Sequence, residues 1–489
     1  MVVGIEACME SYVLSIDVGT SSVKAGLVNL RTSGIEHFSA ERYSDFSEYN
    51  SNTLWDKVAK VIRATVRKSK ASRSILAIGI TGQMHGAAFL DRDGQVIEPL
   101  INWRDIKRCE SSIVNKANRI IGVRAEESIG TLLSCGYTGT ILLWIKEKDP
   151  GLFREIRHFV LFTDYVRGKL LGSSDYSTDP TNAGGTGLFD TRLNRWHTEA
   201  IEELGLPLSI FPEIHSSSEI AGVVSGGVSK SLDLGTGVPV VYGGGDNQTS
   251  MLGCGLLASG SPALINIGTA AQVSKVSSFY QKLLGIDTRP YFAHLYAWVG
   301  ASLGGGGQYE RLKSGLAGQK PMIYSALDML SAEAPPGAGG LFYCTGPSRS
   351  DPHRQAGFFG KTENMENPGC RTRAVMEGIL MDLYPTYTAV EQGDSRSAIG
   401  SGKALQASRA WAQITADFLG KPLQVTNFED ALVGAAFLAG LGTGVLGSLD
   451  ECPKRIVYGS EVTPNDSNTR FYREEFVKNW QARLPRKKG

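Results

Sequence analysis

Two short segments of the chain repeat one pattern at a separation of 249 positions. Residues 16–22 read Ile-Asp-Val-Gly-Thr-Ser-Ser, and residues 265–271 read Ile-Asn-Ile-Gly-Thr-Ala-Ala. Each is an apolar run that reaches a Gly-Thr turn and continues as a second run of alternating character, which predicts a β-hairpin. Such a turn exposes backbone N–H groups and a hydroxyl, both suited to phosphate oxygens. The repeat therefore predicts a duplicated α/β protein that grips a polyphosphate between its halves.

Length, charge and cysteine content exclude several classes of protein. A chain of 489 residues exceeds one ordinary core, so two or three domains are expected. A net charge of +1 argues against a nucleic acid or an anionic membrane surface as the main partner. No apolar run approaches the ~20 residues that span a bilayer, and the start of the chain lacks the pattern of a signal peptide. The seven cysteines are scattered and odd in number, which predicts a reduced, cytoplasmic protein with no disulfide framework and no zinc cluster.

Hydrophobic periodicity outlines the organisation of the chain. A short apolar run predicts a buried strand over 75–80. Helices are expected over 53–68 and around 372–392, 403–419 and 429–442. The expected division is an N-terminal extension over 1–10, a first domain over 11–258, a second domain over 259–480 and a basic tail over 481–489, with the boundary near 255–262.

Two aspartates lie where chemistry on a phosphate is expected. Asp246 follows three glycines after a buried strand, which brings its carboxylate to the sheet edge where ligands of α/β proteins bind. A carboxylate there accepts the proton of a sugar hydroxyl during phosphoryl transfer. The alternative for Asp246 is a helix N-cap. Asp17 precedes the first Gly-Thr turn and is suited to holding Mg²⁺ through water, unless local N–H groups satisfy it as a buried structural residue.

A second strand end carries groups suited to a polyol. Gln83, Met84 and His85 follow the strand predicted over 75–80. Glutamine and histidine both donate and accept hydrogen bonds, and methionine offers an apolar contact for a carbon skeleton. The alternative for His85 is a hydrogen-bonded structural histidine.

Two glycine-rich runs bring bare backbone to a sheet edge. Gly304 and Gly305 lie in the first run, and Gly400, Ser401 and Gly402 open a predicted helix whose N-terminus attracts phosphate or packs under a base. Neither run fits the P-loop or the dinucleotide-binding fingerprint. Both are candidate nucleotide-binding segments, and plain turns are the alternative interpretation.

The order and spacing of these motifs resemble the FGGY family of carbohydrate kinases, within the superfamily of actin, hexokinase and heat-shock ATPases. The resemblance extends from Tyr12 to about Leu446. Its markers are the two repeats, Gly82-Gln83-Met84-His85-Gly86, Trp103-Arg104-Asp105, Gly244-Gly245-Asp246-Asn247, the helix from Gly400 through Asp417, and Gly434-Ala435-Ala436. The resemblance implies two ribonuclease-H-like α/β domains that close over a ligand cleft, and an enzyme that uses ATP and Mg²⁺.

The same resemblance implies a role for each candidate residue. Asp246 falls on the catalytic base of the family and Asp17 on its Mg²⁺-linked aspartate, and both carboxylates are expected at the metal. The expected sugar-binding residues are Gln83, Met84, His85, Trp103, Asp105, Asp246 and Asn247. The expected ATP-binding residues are Gly19, Thr20, Ser21, Gly268, Thr269, Gly304, Gly305, Gly400, Ser401 and Gly402. The expected reaction is phosphoryl transfer from ATP to the terminal hydroxyl of a ketose.

The chain departs from the family pattern at positions that bear on the sugar. The usual Gly-Glu-Arg-Thr-Pro segment is degraded at 344–349, and the arginine of the usual Trp-x-Asp-x-Arg is displaced by one position to Arg108. The segment 301–306 resembles sedoheptulokinases, whereas 86–91 resembles xylulokinases. Sedoheptulose is the expected substrate, with xylulose or another pentulose as the alternative and a non-catalytic, nucleotide-dependent sugar sensor as the rival of another class. A homodimer is the candidate assembly.

Overall fold

Two seven-stranded mixed sheets form the centres of two lobes. The structure is a computed structural model. It describes residues 12–43, 49–69, 75–174, 176–257, 260–268, 270–302, 304–305, 307–309, 312, 323–348, 351, 353–391 and 395–486. The expected N-terminal extension over 1–10 and the expected ATP-binding residue Thr269 lie outside the described residues.

The first-lobe sheet places a hairpin beside a parallel strand. The strands of the first half are β1 (Tyr12–Val18), β2 (Ser22–Asn29), β3 (Ile35–Arg42), β4 (Ile75–Gly82), β5 (Ala87–Leu90), β6 (Val96–Ile101), β7 (His158–Leu161), β8 (Phe189–Asp190), β9 (Arg195–Trp196), β10 (Ile220–Val223), β11 (Pro239–Val241) and β12 (Gly244–Gly245). The order across the sheet is β3-β2-β1-β4-β11-β10, with β12 beside the end of β4. β1 pairs antiparallel with β2 and parallel with β4, which confirms the first predicted hairpin.

The second-lobe sheet repeats this arrangement. The strands of the second half are β13 (Leu264–Ile267), β14 (Ala271–Ser277), β15 (Asp287–Pro290), β16 (Tyr296–Ser302), β17 (Leu341–Cys344), β18 (Gly357–Gly360), β19 (Ala398–Ser401), β20 (Leu423–Val425) and β21 (Ser460–Val462). The order is β15-β16-β14-β13-β19-β20-β21, with β13 antiparallel to β14 and parallel to β19. The segments β16-β14-β13-β19-β20 and β3-β2-β1-β4-β11 thus share one strand order. The duplicated, two-domain α/β fold predicted from the repeat is confirmed.

The helices lie close to where periodicity predicts them. They are α1 (Ser51–Ser69), α2 (Ser111–Ile129), α3 (Thr138–Lys148), α4 (Pro150–Glu155), α5 (Phe162–Leu171), α6 (Pro180–Gly184), α7 (Thr198–Glu203), α8 (Gly226–Leu232), α9 (Asp246–Gly253), α10 (Tyr324–Glu333), α11 (Pro368–Val390), α12 (Lys403–Ala407), α13 (Arg409–Leu419), α14 (Asp430–Gly442), α15 (Asp466–Phe471) and α16 (Val477–Arg483). The single helix expected around 403–419 is divided, because the Ser408 hydroxyl accepts the Trp411 N–H at 3.0 Å and starts α13.

Helix α14 of the second half packs against the first-lobe sheet through small residues. A methyl group built on Gly79 in β4 would lie 2.2 Å from the carbonyl oxygen of Ala435 in α14. One built on Gly434 would lie 1.9 Å from the carbonyl oxygen of Thr249 in α9. Only glycine permits backbones to approach this closely. Side chains of β1, β4, α9 and α14 share one buried cluster, so the lobes are joined by packing as well as by chain connectivity.

A disulfide bond contradicts the expectation that the protein has none. Cys109 and Cys135 are bonded, with their Cα atoms 5.3 Å apart. One partner precedes α2 and the other follows it, so the bond closes a loop around this helix. No short cysteine spacing signals this pair, because 26 positions separate the partners. The other described cysteines are free and buried: Cys254, Cys344, Cys370 and Cys452.

Two further expectations concern the whole chain. Among the residues that the structure describes, no helix has the length and hydropathy needed to cross a membrane. The domain boundary near 255–262 stays a prediction, since residues 258–259 lie outside the described ranges. The position of α14 against the first-lobe sheet means that a division by chain order does not separate all contacts of the two lobes.

Reduction of the Cys109–Cys135 bond is expected to lower the free energy of unfolding by about 3 kcal/mol, because the bond restricts the unfolded chain across 26 positions. Urea unfolding with and without dithiothreitol measures this difference, and mass spectrometry of non-reduced peptides identifies the bond. The Cys109→Ser/Cys135→Ser variant is the control, since reductant should leave its stability unchanged. Equal stability of the wild-type protein under both conditions would contradict the expectation.

Candidate active site

Three candidate side chains leave neighbouring strands at one edge of the first-lobe sheet. Gly245 of β12 pairs in register with Gly82 at the end of β4. Asp246 and Gln83 are the next residues after these two glycines, so they start from adjacent backbone positions. Asp17 is the penultimate residue of β1, which pairs with β4 on its other side. The sheet topology therefore brings together the predicted base, metal ligand and sugar-binding glutamine.

Asp246 begins α9 but does not cap it. The N-cap position belongs to Gly245, and Asp246 Oδ1 accepts the N–H of Asn247 at 2.8 Å. The residue keeps a partial opening to solvent. Close packing, and then the negative charge of Asp17, raise the pKa of Asp246 to about 7, against the smaller effect of the Asn247 N–H. A carboxylate with this pKa can exchange a proton with a ligand near neutral pH.

Asp17 is held by a lysine that also contacts the second half of the chain. Lys24 Nζ lies 3.3 Å from Asp17 Oδ2 and 2.8 Å from Glu429 Oε2. Burial raises the pKa of Asp17, while the Lys24 ammonium opposes that rise. The sequence suggested no role for Lys24, whose side chain could have been solvated. The structure instead places it between two carboxylates of different lobes.

The carboxylates of Asp17 and Asp246 fit the expected Mg²⁺. Asp17 Oδ1 is buried without a hydrogen-bond partner, so this oxygen is suited to contacting a cation or its water. Within the described ranges, no three His, Cys, Asp or Glu side chains are grouped to hold a metal ion. Mg²⁺ does not need such a group, because it keeps several waters and binds through one or two carboxylates and substrate phosphates.

The predicted sugar-binding segment lines the same strand end. Gln83 is buried, its Nε2 donates to the Tyr49 hydroxyl at 3.2 Å, and its Oε1 has no hydrogen-bond partner. Met84 is packed so closely on Gly245 that a methyl group there would lie 2.7 Å from its Cγ. His85 Nδ1 lies 2.5 Å from the carbonyl oxygen of residue 185, and its ring stacks on that of Tyr137 at 4.4 Å. The protein therefore fixes the position of the His85 ring at this strand end.

The polar turn that carries Trp103 and Asp105 contacts the first phosphate turn. Trp103 Nε1 donates to Thr20 Oγ1 at 2.9 Å, and the indole side chain is partly exposed. The carboxylate of Asp105 forms a short ion pair with Arg108 and accepts the Lys107 N–H at 3.1 Å. The displaced arginine of the family pattern thus still pairs with the aspartate. In this structure Asp105 shapes the turn.

The two hairpin turns have similar hydrogen bonding. Gly19 N donates to the carbonyl oxygen of Ser22 at 3.0 Å, and Gly268 N donates to that of Ala270 at 3.0 Å. Ser21 is exposed at the first turn. The second turn is one residue shorter than the first.

The glycine-rich candidates surround the second turn. A methyl group on Gly305 would lie 2.5 Å from the backbone of Ala270, and one on Gly402 would lie 2.6 Å from the carbonyl oxygen of Ile267. Gly304 N donates to the hydroxyl of residue 302 at 3.0 Å. Gly400 and Ser401 differ from expectation because they end β19 and do not begin a helix. The Ser401 hydroxyl is fully buried and forms a short hydrogen bond with Asp430, so it is turned into the protein.

Five further residues reach the site from distant parts of the chain and were not among the sequence-based candidates. These are Tyr49, Tyr137, Gln272, Arg289 and Glu429. Only Gln272 had a signal in the sequence, since it pairs with Asn266 in β13 as Lys24 pairs with Asp17 in β1. The others depend on tertiary contacts that no local pattern records.

Two sheets with one strand order, paired phosphate-type turns and two carboxylates at neighbouring strand ends are the arrangement expected of a two-lobed phosphotransferase. A comparison of the chain with models of known protein families identifies the family within this class. The model of the FGGY family of carbohydrate kinases, N-terminal domain, matches residues 12–253, and that of the C-terminal domain matches residues 291–443. The chain belongs to the FGGY family of carbohydrate kinases, which are ATP-dependent phosphotransferases that act on hydroxyl groups.

Individual sequences and solved structures of sugar kinases are similar to this protein over almost its whole length. The xylulose kinase of Staphylococcus xylosus is 26% identical over 95% of this chain and 98% of its own length. That of Escherichia coli K12 is 28% identical over 96% and 99%. The structure of a ligand-bound xylulose kinase from Lactobacillus acidophilus has a TM-score of 0.84 at 21% identity, covering 96% of this chain and 97% of that one. Plasmodium falciparum glycerol kinase with ADP has a TM-score of 0.81 at 19% identity, covering 98% and 99%.

In the metal-free protein, Asp246 is expected to make stability fall as pH rises. Its pKa is about 7 in the folded state, against 3.8 for a fully solvated aspartate, so the folded protein holds the proton more tightly. This contribution to stability is complete below pH ~4 and is lost as pH rises through 7. Asp246→Asn is expected to lack that loss and to be more stable than the wild type by roughly 2 kcal/mol at pH 8.

Urea unfolding in EDTA between pH 4.5 and 8 measures this difference. Asp233→Asn is the matched control, because Asp233 is an exposed aspartate paired with Arg67 on the surface. If Asp246→Asn and the wild type lose stability equally over this range, the raised pKa of Asp246 is wrong.

Proposed function

We propose that this sugar kinase transfers the γ-phosphoryl group of ATP to the terminal hydroxyl of a ketose, with D-xylulose as the substrate. The observation that carries the proposal is the meeting of Asp17, Gln83 and Asp246 at the ends of adjacent strands. A base, a metal-linked carboxylate and a polar sugar contact are the groups that such a transfer requires within one small volume.

Asp246 acts as the general base in this proposal. The hydroxyl oxygen of the sugar attacks the γ-phosphorus while its proton passes to a carboxylate oxygen of Asp246. Asp246 Oδ1 already accepts the Asn247 N–H, which fixes the orientation of the carboxylate. A pKa raised by burial and by Asp17 makes Asp246 a stronger proton acceptor than an exposed aspartate.

The two turns hold the phosphate chain from opposite sides. In this proposal the backbone N–H groups and hydroxyls of Gly19, Thr20 and Ser21 contact one side of the phosphate chain and the turn at Gly268 contacts the other, and both stabilise negative charge as it develops. Asp17 and Asp246 would hold Mg²⁺, which when bound neutralises charge on the phosphate oxygens. Gly304, Gly305 and Gly402, beside the second turn, support the adenosine side of the nucleotide.

Xylulose replaces the sedoheptulose that the sequence narrowly favoured. Relatives named xylulose kinase align over 95% or more of this chain, and they support the pentulose alternative better. The buried Gln83, the Met84 packed on Gly245 and the anchored His85 bring polar groups and an apolar side chain to one strand end, and this combination suits a polyol.

The rival function, the location and the assembly are the remaining expectations from the sequence. A non-catalytic sugar sensor would need the phosphate turns and not Asp246, whose position at the strand ends favours the enzyme. A cytoplasmic location and a homodimer remain predictions, as does the absence of nucleic acid as a partner.

An ADP-release assay across D-xylulose, D-ribulose, sedoheptulose and glycerol is expected to give the highest kcat/KM for D-xylulose. Highest activity on sedoheptulose would show that the substrate is the heptulose, and activity confined to glycerol would contradict the ketose proposal.

Asp246→Ala is expected to lower kcat with the best sugar by at least about 100-fold, because the proton acceptor is gone. ATP binding by this variant, measured by calorimetry, should persist, and Asp233→Ala should keep full activity.

Asp17→Ala is expected to raise the Mg²⁺ concentration required for half-maximal activity by about 10-fold or more, because a carboxylate that contacts the metal or its water is lost. A Mg²⁺ titration of turnover at saturating ATP and sugar measures the change. Glu429→Gln is the matched control, since it removes the other carboxylate beside Lys24 and leaves Asp17 in place. An unchanged Mg²⁺ titration in Asp17→Ala would contradict the proposal that Asp17 contacts the metal or its water.

A further inference from the structure

The side chain of Asn247 is held by two strands of the opposite lobe. Asn247 belongs to α9 of the first lobe, next to Asp246. Its Nδ2 donates to Gln272 Oε1 in β14 at 2.9 Å, and its Oδ1 accepts from a guanidinium nitrogen of Arg289 in β15 at 3.4 Å. The amide that the family resemblance assigns to the sugar is thus positioned by residues of the second lobe.

Arg289 determines the orientation of the Asn247 amide, that is, whether its oxygen or its nitrogen faces the guanidinium group. A guanidinium group has donors and no acceptor, so only the amide oxygen of Asn247 can face it. The amide nitrogen must then face Gln272, whose oxygen accepts it. Gln272 alone could not fix this orientation, because a glutamine amide can turn over and offer either a donor or an acceptor.

Arg289 is itself fixed by a buried carboxylate. Its second terminal nitrogen lies 3.0 Å from Asp287 Oδ2, and the side chains of Arg289 and Asp287 are 13% and 5% exposed. Asp287 Oδ1 accepts the Thr131 hydroxyl of the first lobe at 2.8 Å. Beside it, Thr288 N donates to the carbonyl oxygen of Gly130 at 2.8 Å. β15 is therefore tied to the first lobe both at Gly130–Thr131 and at Asn247.

We propose that Arg289 is a positioning residue of the sugar site, which orients the Asn247 amide so that its remaining donor and acceptor positions meet the hydroxyls of the ketose. The inference rests on the proposed function, in which Asn247 contacts the sugar. Because Arg289 and Gln272 both come from the second lobe, the amide acquires this orientation only where the two lobes meet. Arg289 thereby links the arrangement of the lobes to sugar affinity.

The test compares sugar affinity in Arg289→Met with that of the wild type. The KM for the ketose is expected to rise by about 10-fold, the size of effect for one hydrogen bond to a charged group, while the KM for ATP stays within about 2-fold. Arg67→Met is the matched control, since Arg67 pairs with Asp233 at 2.7 Å on the surface. An unchanged KM for the ketose, or an equal rise in both KM values, would overturn the inference.

A double-mutant cycle separates positioning from general damage. In an Asn247→Ala background, Arg289→Met should change the ketose KM by less than about 2-fold, because the amide through which Arg289 acts is already absent. Full additivity of the two changes would overturn the inference. Since Arg289→Met removes the ion pair between Arg289 and the buried Asp287, the cycle is repeated with Asp287→Asn/Arg289→Met, in which residue 287 can still accept the Thr131 hydroxyl.

Ligand binding distinguishes this inference from the proposed function. Calorimetry of ketose binding should show the same loss of affinity in Arg289→Met as the kinetics, without any need for turnover. A wild-type protein that neither binds nor phosphorylates a ketose would overturn the proposed function and the inference together. Normal wild-type phosphorylation with undiminished ketose binding in Arg289→Met would overturn the inference alone.

Discussion

The ammonium group of Lys24 lies between two carboxylates that come from different lobes. It lies 3.3 Å from Asp17, beside the first phosphate turn, and 2.8 Å from Glu429, at the start of α14. The three side chains are 9–28% exposed, so loss of any one would leave a poorly solvated charge. This ion pair adds a charged contact beside the first turn to the small-residue packing that holds α14 against the first sheet.

Much of the fold could be predicted from the sequence, because hairpins and helices depend on residues that are close together in the chain. The hairpins at Gly19 and Gly268 are determined by residues next to one another, and the helices by apolar spacing within one segment. The break at Ser408 was missed, since a serine within an apolar pattern becomes a cap only when its hydroxyl finds the N–H of Trp411. The Cys109–Cys135 bond was missed because no spacing rule joins partners that the fold brings together.

The sequence was sufficient to predict which residues lie at the candidate site. It was not sufficient to predict which other side chains contact them. Asp17, Gln83 and Asp246 were found because strand ends in α/β sheets gather ligands. Their partners were not found, since Lys24 and Glu429 are 405 positions apart and Arg289 reaches Asn247 from another lobe. The identity of the sugar depends on such long-range contacts, because ketoses differ in chain length and in the configuration of the carbons that carry their hydroxyls.

The two hairpins are alike in backbone and unlike in charge. Asp17 and Asn266 occupy equivalent places in β1 and β13, where one pairs in register with Lys24 and the other with Gln272. A crevice built from two identical halves would accept a chain of anionic groups in either direction. Replacing one acid by an amide removes that equivalence and gives the crevice a polarity. An elongated ligand with unlike ends can then be bound in a single sense.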